Sequence, residues 1–145
     1  MKTRSKLVNQ FIEKIVREAS KNGVTVTLTK SKNVYYLDGA PPRVCNGIFV
    51  PPHRHSAKGG RIRVAAGDGP LAEIILSLAH EFIHMRQYFN KEKIYYTDSY
   101  YKLERNTEKR AISFMKKNGL PKYLINQAQK LSKDYLNDIR AGNIK

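Results

Sequence analysis

A chain of 145 residues that is 41% hydrophobic and 27% charged has the material for a packed core, which excludes an intrinsically disordered polymer. Its one cysteine, Cys45, excludes an internal disulfide and any cysteine-rich zinc module, fits a reducing compartment and reads as a small buried strand residue. The formal charge of +15, from 27 basic against 12 acidic residues, would draw nucleic acid or an acidic protein, although no helix-turn-helix, zinc-finger or RNP signature accompanies it. No apolar run approaches the length of a membrane span, and the basic start leads into an amphipathic helix rather than a signal-peptide core. The expectation is a cytoplasmic protein that makes no membrane contact. With no repeat, low-complexity tract or linker, residues 1–145 read as a single domain.

From Arg4 to Ser20, Leu7, Val8, Phe11, Ile12, Ile15, Val16 and Ala19 recur at helical spacing, and Asn22-Gly23 ends the run. Val24, Val26 and Leu28 then alternate with threonines, which predicts a strand with one buried face. After a turn at Lys30 to Asn33, Val34 to Leu37 reads as its return strand. Val44 to Val50 reads as a third strand, closed by Pro51-Pro52. The loop from Pro52 to Gly60 holds His53 and His55; with no acidic or cysteine neighbour, these read as exposed loop residues rather than ligands. Arg61 to Ala66 alternates like a strand with a cationic face and leads into the next helix, so a small antiparallel or mixed sheet should pack under that helix.

That helix spans Pro70 to Asn90 and carries His80-Glu81-Phe82-Ile83-His84, an H-E-x-x-H pattern in an apolar, proline-free run. At about 100° per residue, two histidines four apart share a face and can grip one metal ion, with the intervening glutamate beside a metal-activated water. Leu71, Ile74, Ile75, Leu78, Phe82, Met85 and Phe89 form the opposite, core-facing arc, which leaves the histidine face to line a cleft. Leu76 and Ile83 flank that face and are too apolar for full exposure. Asp68-Gly69-Pro70 offers a capping side chain and a proline near the first turn. Beyond a tyrosine-rich stretch, one helix is expected from about Asn106 to Lys117, stopped by Asn118-Gly119-Leu120. Another starts at Pro121 with a stripe of Tyr123, Leu124, Ala128, Leu131, Tyr135 and Ile139.

A catalytic zinc takes three protein ligands and keeps one open position. No histidine follows His84, so the third ligand must be a carboxylate: Glu92, Asp98, Glu104 or Glu108. Glu92 is too near the end of the same helix, and Asp98 sits in the tyrosine-rich loop. Glu104 and Glu108 lie 20 and 24 residues after His84 and would share one helix face. Glu108 is favoured because Ala111 follows it, a small residue where two helices must approach closely. Glu104 is the alternative.

HEFIH followed by Glu108 in an E-x-x-A helix resembles the small gluzincin-type zinc metallopeptidases. The nearest in layout are ImmA/IrrE-like and SprT-like proteins, including phage-encoded ones. The resemblance covers roughly residues 44–115. It departs at Ile83, where ImmA-type chains commonly have glycine, and in lacking the downstream histidine of SprT-like patterns. It implies an α+β, zincin-like fold: an N-terminal helix, a small twisted sheet of three to four strands, the active-site helix, then two C-terminal helices. It also implies a peptidase with one zinc ion on His80, His84 and Glu108, and Glu81 as general base. The oxyanion would be stabilised by one of Tyr95, Tyr96, Tyr100 or Tyr101. An extended, acidic peptide or protein substrate would pair with an edge strand near Arg61 to Ala66.

Overall fold

The structure is a computed structural model that describes residues 2–30, 34–36, 43–52, 59–67 and 69–142. Helix α1 (Lys2–Lys21) buries Val8, Phe11, Ile15 and Ala19 of the stripe its spacing predicts, with Leu7 and Ile12 partly buried and Val16 39% exposed. Strand β1 (Val24–Thr29) follows directly. Its buried face fades along its length, from Val24 at 3% exposure to Leu28 at 37%. Three more short strands, β2 (Val34–Tyr36), β3 (Arg43–Cys45) and β4 (Gly47–Val50), precede β5 (Gly60–Ala65). The fold is α+β, completed by α2 (Leu71–Phe89), a 3-10 turn at Lys93–Tyr96, α3 (Tyr100–Lys117) and α4 (Lys122–Arg140).

Strand pairing departs from the sequence expectation in three places. Val34 to Tyr36 does not return along β1; β2 pairs antiparallel with β3, Val34 opposite Cys45, in a separate two-stranded ladder. The expected strand from Val44 to Val50 is broken at Asn46, whose carbonyl accepts from Ala65 N at 2.8 Å. Third, Arg61 to Ala66 is no edge. β5 lies in the middle of a mixed sheet of order β1-β5-β4, parallel to β1 (Val24 opposite Gly60) and antiparallel to β4 (Gly47 opposite Val64). Ile62 and Val64 are accordingly sealed. The edges of this sheet are β1 and β4.

Helix α2 runs through the middle of the core, touching α1, α3, α4, β4 and β5. Ile75, Leu78 and Phe82 are fully buried and Met85 nearly so, while Leu71, Ile74 and Phe89 pack at the margin. Leu76 and Ile83 are buried as well. So are His80, Glu81 and Gln87, so the polar side of α2 faces other protein rather than an open cleft. Pro70 occupies the N-cap position with no capping side chain; Asp68 lies outside the described residues.

Helix α3 begins at Tyr100, capped by Ser99 Oγ, which accepts from Lys102 N at 3.2 Å. It starts earlier than its apolar period indicates because its first buried positions are polar: Glu104, Thr107 and Glu108. Its end closes as expected, with Gly119 at φ 69°, Gly119 N on Lys116 O and Leu120 N on Met115 O. Leu120 is buried against the core.

Arg86 ties α1 to α2. Its guanidinium donates twice to Glu18, at 2.7 and 2.8 Å, and lies over the rings of Phe82 and Phe114. The hydrogen bonds from Arg86, working against partial burial, hold the Glu18 carboxyl below its ordinary range. A lowered folded pKa means stability that is present above the unfolded value, about 4.3, and is lost as pH falls through the folded value. With the two side chains 32% and 34% exposed, solvent screening keeps the pair to about 1 kcal/mol. The unfolding free energy of Glu18→Gln should therefore fall short of the parent's by about that much at pH 7. The gap should close below pH 4 in parallel denaturant titrations; a gap constant with pH would contradict the ion-pair origin.

Candidate metal centre

Two helices build the site. Helix α2 supplies His80 and His84 one turn apart, their rings 4.6 Å from centre to centre, and α3 brings Glu104 against both. Glu104 Oε1 lies 3.2 Å from His80 Nε2, and Glu104 Oε2 lies 3.0 Å from His84 Nε2. One ligand atom from each of the three residues falls within 4.8 Å of the others, so His80, His84 and Glu104 could hold a metal ion. Glu104 is the alternative third carboxylate of the sequence reading. The favoured one, Glu108, is on the same helix but meets the other side of His80, its Oε2 2.5 Å from Nδ1. One helical turn separates the glutamates, and that turn carries Glu108 past the nitrogen facing His84 and Glu104.

Each imidazole is therefore held at both nitrogens. His80 Nδ1 faces Glu108, and His84 Nδ1 faces Gln87 Oε1 at 2.9 Å. Gln87 is wholly buried, and its amide donates to Thr107 Oγ1 at 3.0 Å and Asn106 Oδ1 at 3.2 Å, which fixes which end accepts. A hydrogen bond at Nδ1 leaves Nε2 to face the ligand position, the arrangement that orients metal-bound histidines. Gln87 escaped the sequence reading, yet it lies three residues after His84 on the same helix, close enough for a side-chain contact.

Charge balance is the fit test for a cation. Glu81, Glu104 and Glu108 are 8%, 3% and 3% exposed, and no lysine or arginine pairs with any of them among the described residues. Three carboxylates out of water need compensating positive charge. In the metal-free chain a proton on His80 supplies part of it. Burial acts to lower the pKa of His80, but the charge and hydrogen bonds of Glu104, with Glu108, outweigh it and raise that pKa well above 6.5. Burial likewise acts to raise that of Glu104, and the two imidazoles reverse it, holding the carboxyl far below its ordinary range. A divalent cation on two imidazole nitrogens and one carboxylate oxygen would take the place of that proton, and that donor set suits zinc.

Glu81, close enough to feel the charges of His80, His84, Glu104 and Glu108, also reaches β4. A Cβ at Gly47 would sit 3.1 Å from Glu81 Cγ and 3.2 Å from its Oε2, so the glycine leaves the room that this carboxylate fills. Burial pushes the Glu81 carboxyl up, with His80 and His84 pulling against it.

Of the tyrosines singled out for an oxyanion, Tyr95 is the one that meets a ring of the three-residue cluster among the described contacts. Tyr95 stacks edge-on to His84 at 6.2 Å, Tyr96 packs on Tyr95 and is 64% exposed, and Tyr101 lies under Arg140. Tyr100 meets Tyr135, hydroxyl to hydroxyl at 3.2 Å. The tyrosine hydrogen-bonded to the cluster is Tyr135 of α4, whose hydroxyl donates to Glu104 Oε1. Burial first, then the Glu104 charge, raises its pKa, so it stays a donor. Its place in an ordinary helical stripe gave no sign of this.

The remaining candidates fall away. Glu92 is taken by Arg110, at 2.6 and 3.1 Å, and Asp98 is exposed. His53 and His55 lie outside the described residues. A surface hollow of about 570 Å3 beside α1, lined by Leu7, Phe11, Lys14 and Arg17 among others, contains none of the cluster, so the titratable groups rather than cavity size locate the chemistry.

These features define an α+β protein in which a buried histidine, a half-buried histidine and a buried glutamate could hold a metal ion. Comparison with protein-family models, curated proteins and solved structures gave no match to the chain. No helix of the described residues is long and apolar enough to cross a membrane.

Proposed function

We propose that the protein is a zinc-dependent peptidase of gluzincin type, in which Nε2 of His80, Nε2 of His84 and the carboxylate of Glu104 hold one zinc ion. The observation that carries this reading is the convergence of those three groups, each held from behind, with the buried Glu81 carboxylate beside them. A zinc ion held by His80, His84 and Glu104 would supply acidification of a water and polarisation of the scissile carbonyl. Glu81 takes a proton from the attacking water and passes it to the departing amine nitrogen. The Tyr135 hydroxyl, turned from Glu104 towards the substrate, donates to the carbonyl oxygen as charge develops there.

An extended substrate would add to the sheet at β4, the edge strand that carries Gly47 next to Glu81, instead of at Arg61 to Ala66. Arg61 and Arg63, opposite Val50 and Ile48 on the neighbouring strand, would still favour acidic segments. The single cysteine fits action in the cytoplasm, where thiols stay reduced.

Zinc-loaded protein incubated with a mixture of unstructured peptides should generate new termini detectable by mass spectrometry. Chelation should stop the cleavage and added zinc restore it. The same products from purified His80→Ala would sink the proposal.

A further inference from the structure

We propose that the outer face of α3 binds the phosphodiester backbone of a nucleic-acid duplex. This stands apart from the peptidase reading and uses none of its residues. Seven α3 residues are exposed: five are cations, the other two are Tyr100 and Ser113, and none is a carboxylate. At about 100° and 1.5 Å per residue, Lys102, Arg105, Lys109 and Lys116 fall within an arc of about 60° and form a row about 21 Å long.

The bland explanation for such a row is a solvated face laced with salt bridges, and α3 lacks the acids for it. Its only carboxylates, Glu104 and Glu108, point inward and are engaged by His80, His84 and Tyr135. Three cations off the row do find acids: Arg17 with Glu13, Arg86 with Glu18, and Arg110, on the flank of α3, with Glu92. The four residues of the row take part in no ion pair among the described residues. In a chain of net charge +15, the outer face of α3 is thus a row of cations with no acid beside it.

The kind of polyanion follows from what the row lacks. A protein partner needs an apolar or aromatic anchor near the centre of its interface, and a lipid surface needs an apolar helix face to insert. The sole exposed aromatic on α3 is Tyr100, at one end, with its hydroxyl on Tyr135. A single strand is gripped by stacking successive bases on aromatics, which this row does not offer. A duplex asks only for cations in register with its phosphates, one charge per about 1.7 Å of axis.

The test is fluorescence anisotropy of the full chain with a labelled 20-base-pair duplex, titrated from 50 to 200 mM salt. Four neutralised phosphates contribute about −3.6 to the slope of log K against log salt, a loss of roughly 150-fold over that range. Changing Lys102, Arg105, Lys109 and Lys116 together to Gln should remove that share of the slope. The pair Lys102→Gln and Lys109→Gln should remove half, which guards against a misfolded quadruple variant. A control with the same charge loss on α1 (Lys6, Lys14, Arg17 and Lys21 to Gln) should retain the slope. Equal losses in the α1 and α3 variants would overturn the proposal, as would no binding at 50 mM salt. Tighter binding to a single strand of the same length, or to vesicles rich in anionic lipid, would overturn it too.

Discussion

Glu104→Ala should strip the protein of its stoichiometric metal, whereas Glu108→Gln should keep one metal per chain and hold it about 10- to 100-fold more weakly. The contrast comes from which imidazole nitrogen each carboxylate meets. Glu104 faces Nε2 of both histidines, where the ion would sit, and its loss leaves two neutral donors. Glu108 faces His80 Nδ1, and a glutamine there still accepts that hydrogen bond while giving up the charge that makes the imidazole a stronger donor to metal. Gln87→Leu should weaken affinity in the same range by freeing His84 Nδ1. Metal content after gel filtration and competition with a chromophoric chelator measure both quantities. The reverse pattern, with metal lost in Glu108→Gln and kept in Glu104→Ala, would assign the third ligand to Glu108. Chelation of the parent should also lower its thermal stability, since metal at a thousand times its dissociation constant contributes about 4 kcal/mol.

Legibility followed the range of the contacts. His80, Glu81 and His84 could be read directly because an i,i+4 pair is a property of one helix, and the ends of α1 and α3 carried their own stop signals at Asn22-Gly23 and Asn118-Gly119. The choice between Glu104 and Glu108 was not local. Both point from α3 towards α2, and only the register of one helix on the other decides which nitrogen each reaches. The early start of α3 was hidden for a related reason: where Glu104, Thr107 and Glu108 are the buried residues, there is no apolar period to count. Tyr135 looked like any stripe residue, because sequence spacing tells which face a side chain is on and nothing of what its hydroxyl meets. The parallel pairing of β1 with β5 joins strands more than thirty residues apart and leaves no turn signature, so a hairpin was the default reading.

Glu81→Gln should keep the metal and lose cleavage by about 10²- to 10⁴-fold, the usual contribution of a positioned general base. A loss of that kind can also come from general disturbance of the helix, so a second variant that leaves Glu81 in place is informative. Gly47 provides it. A side chain there would meet Glu81 Cγ at 3.1 Å and Oε2 at 3.2 Å, while β4 is pinned to β5 at that very residue, Gly47 opposite Val64. The carboxylate is the softer partner, so it should move rather than the strand. Gly47→Ala should shift it by a few tenths of an ångström; Gly47→Val, with a branched side chain, should shift it further. A misplacement of about 1 Å can lower turnover roughly 100-fold. His80, His84 and Glu104 are held by Glu108, Gln87 and Tyr135, away from that clash, so metal affinity should stay close to the parent's, without the loss expected when one of those partners is removed. Cleavage that falls from alanine to valine at constant metal content would identify Glu81, placed by β4, as the group that handles the proton. Undiminished cleavage by Gly47→Val would remove Glu81 from that role even with the metal centre intact.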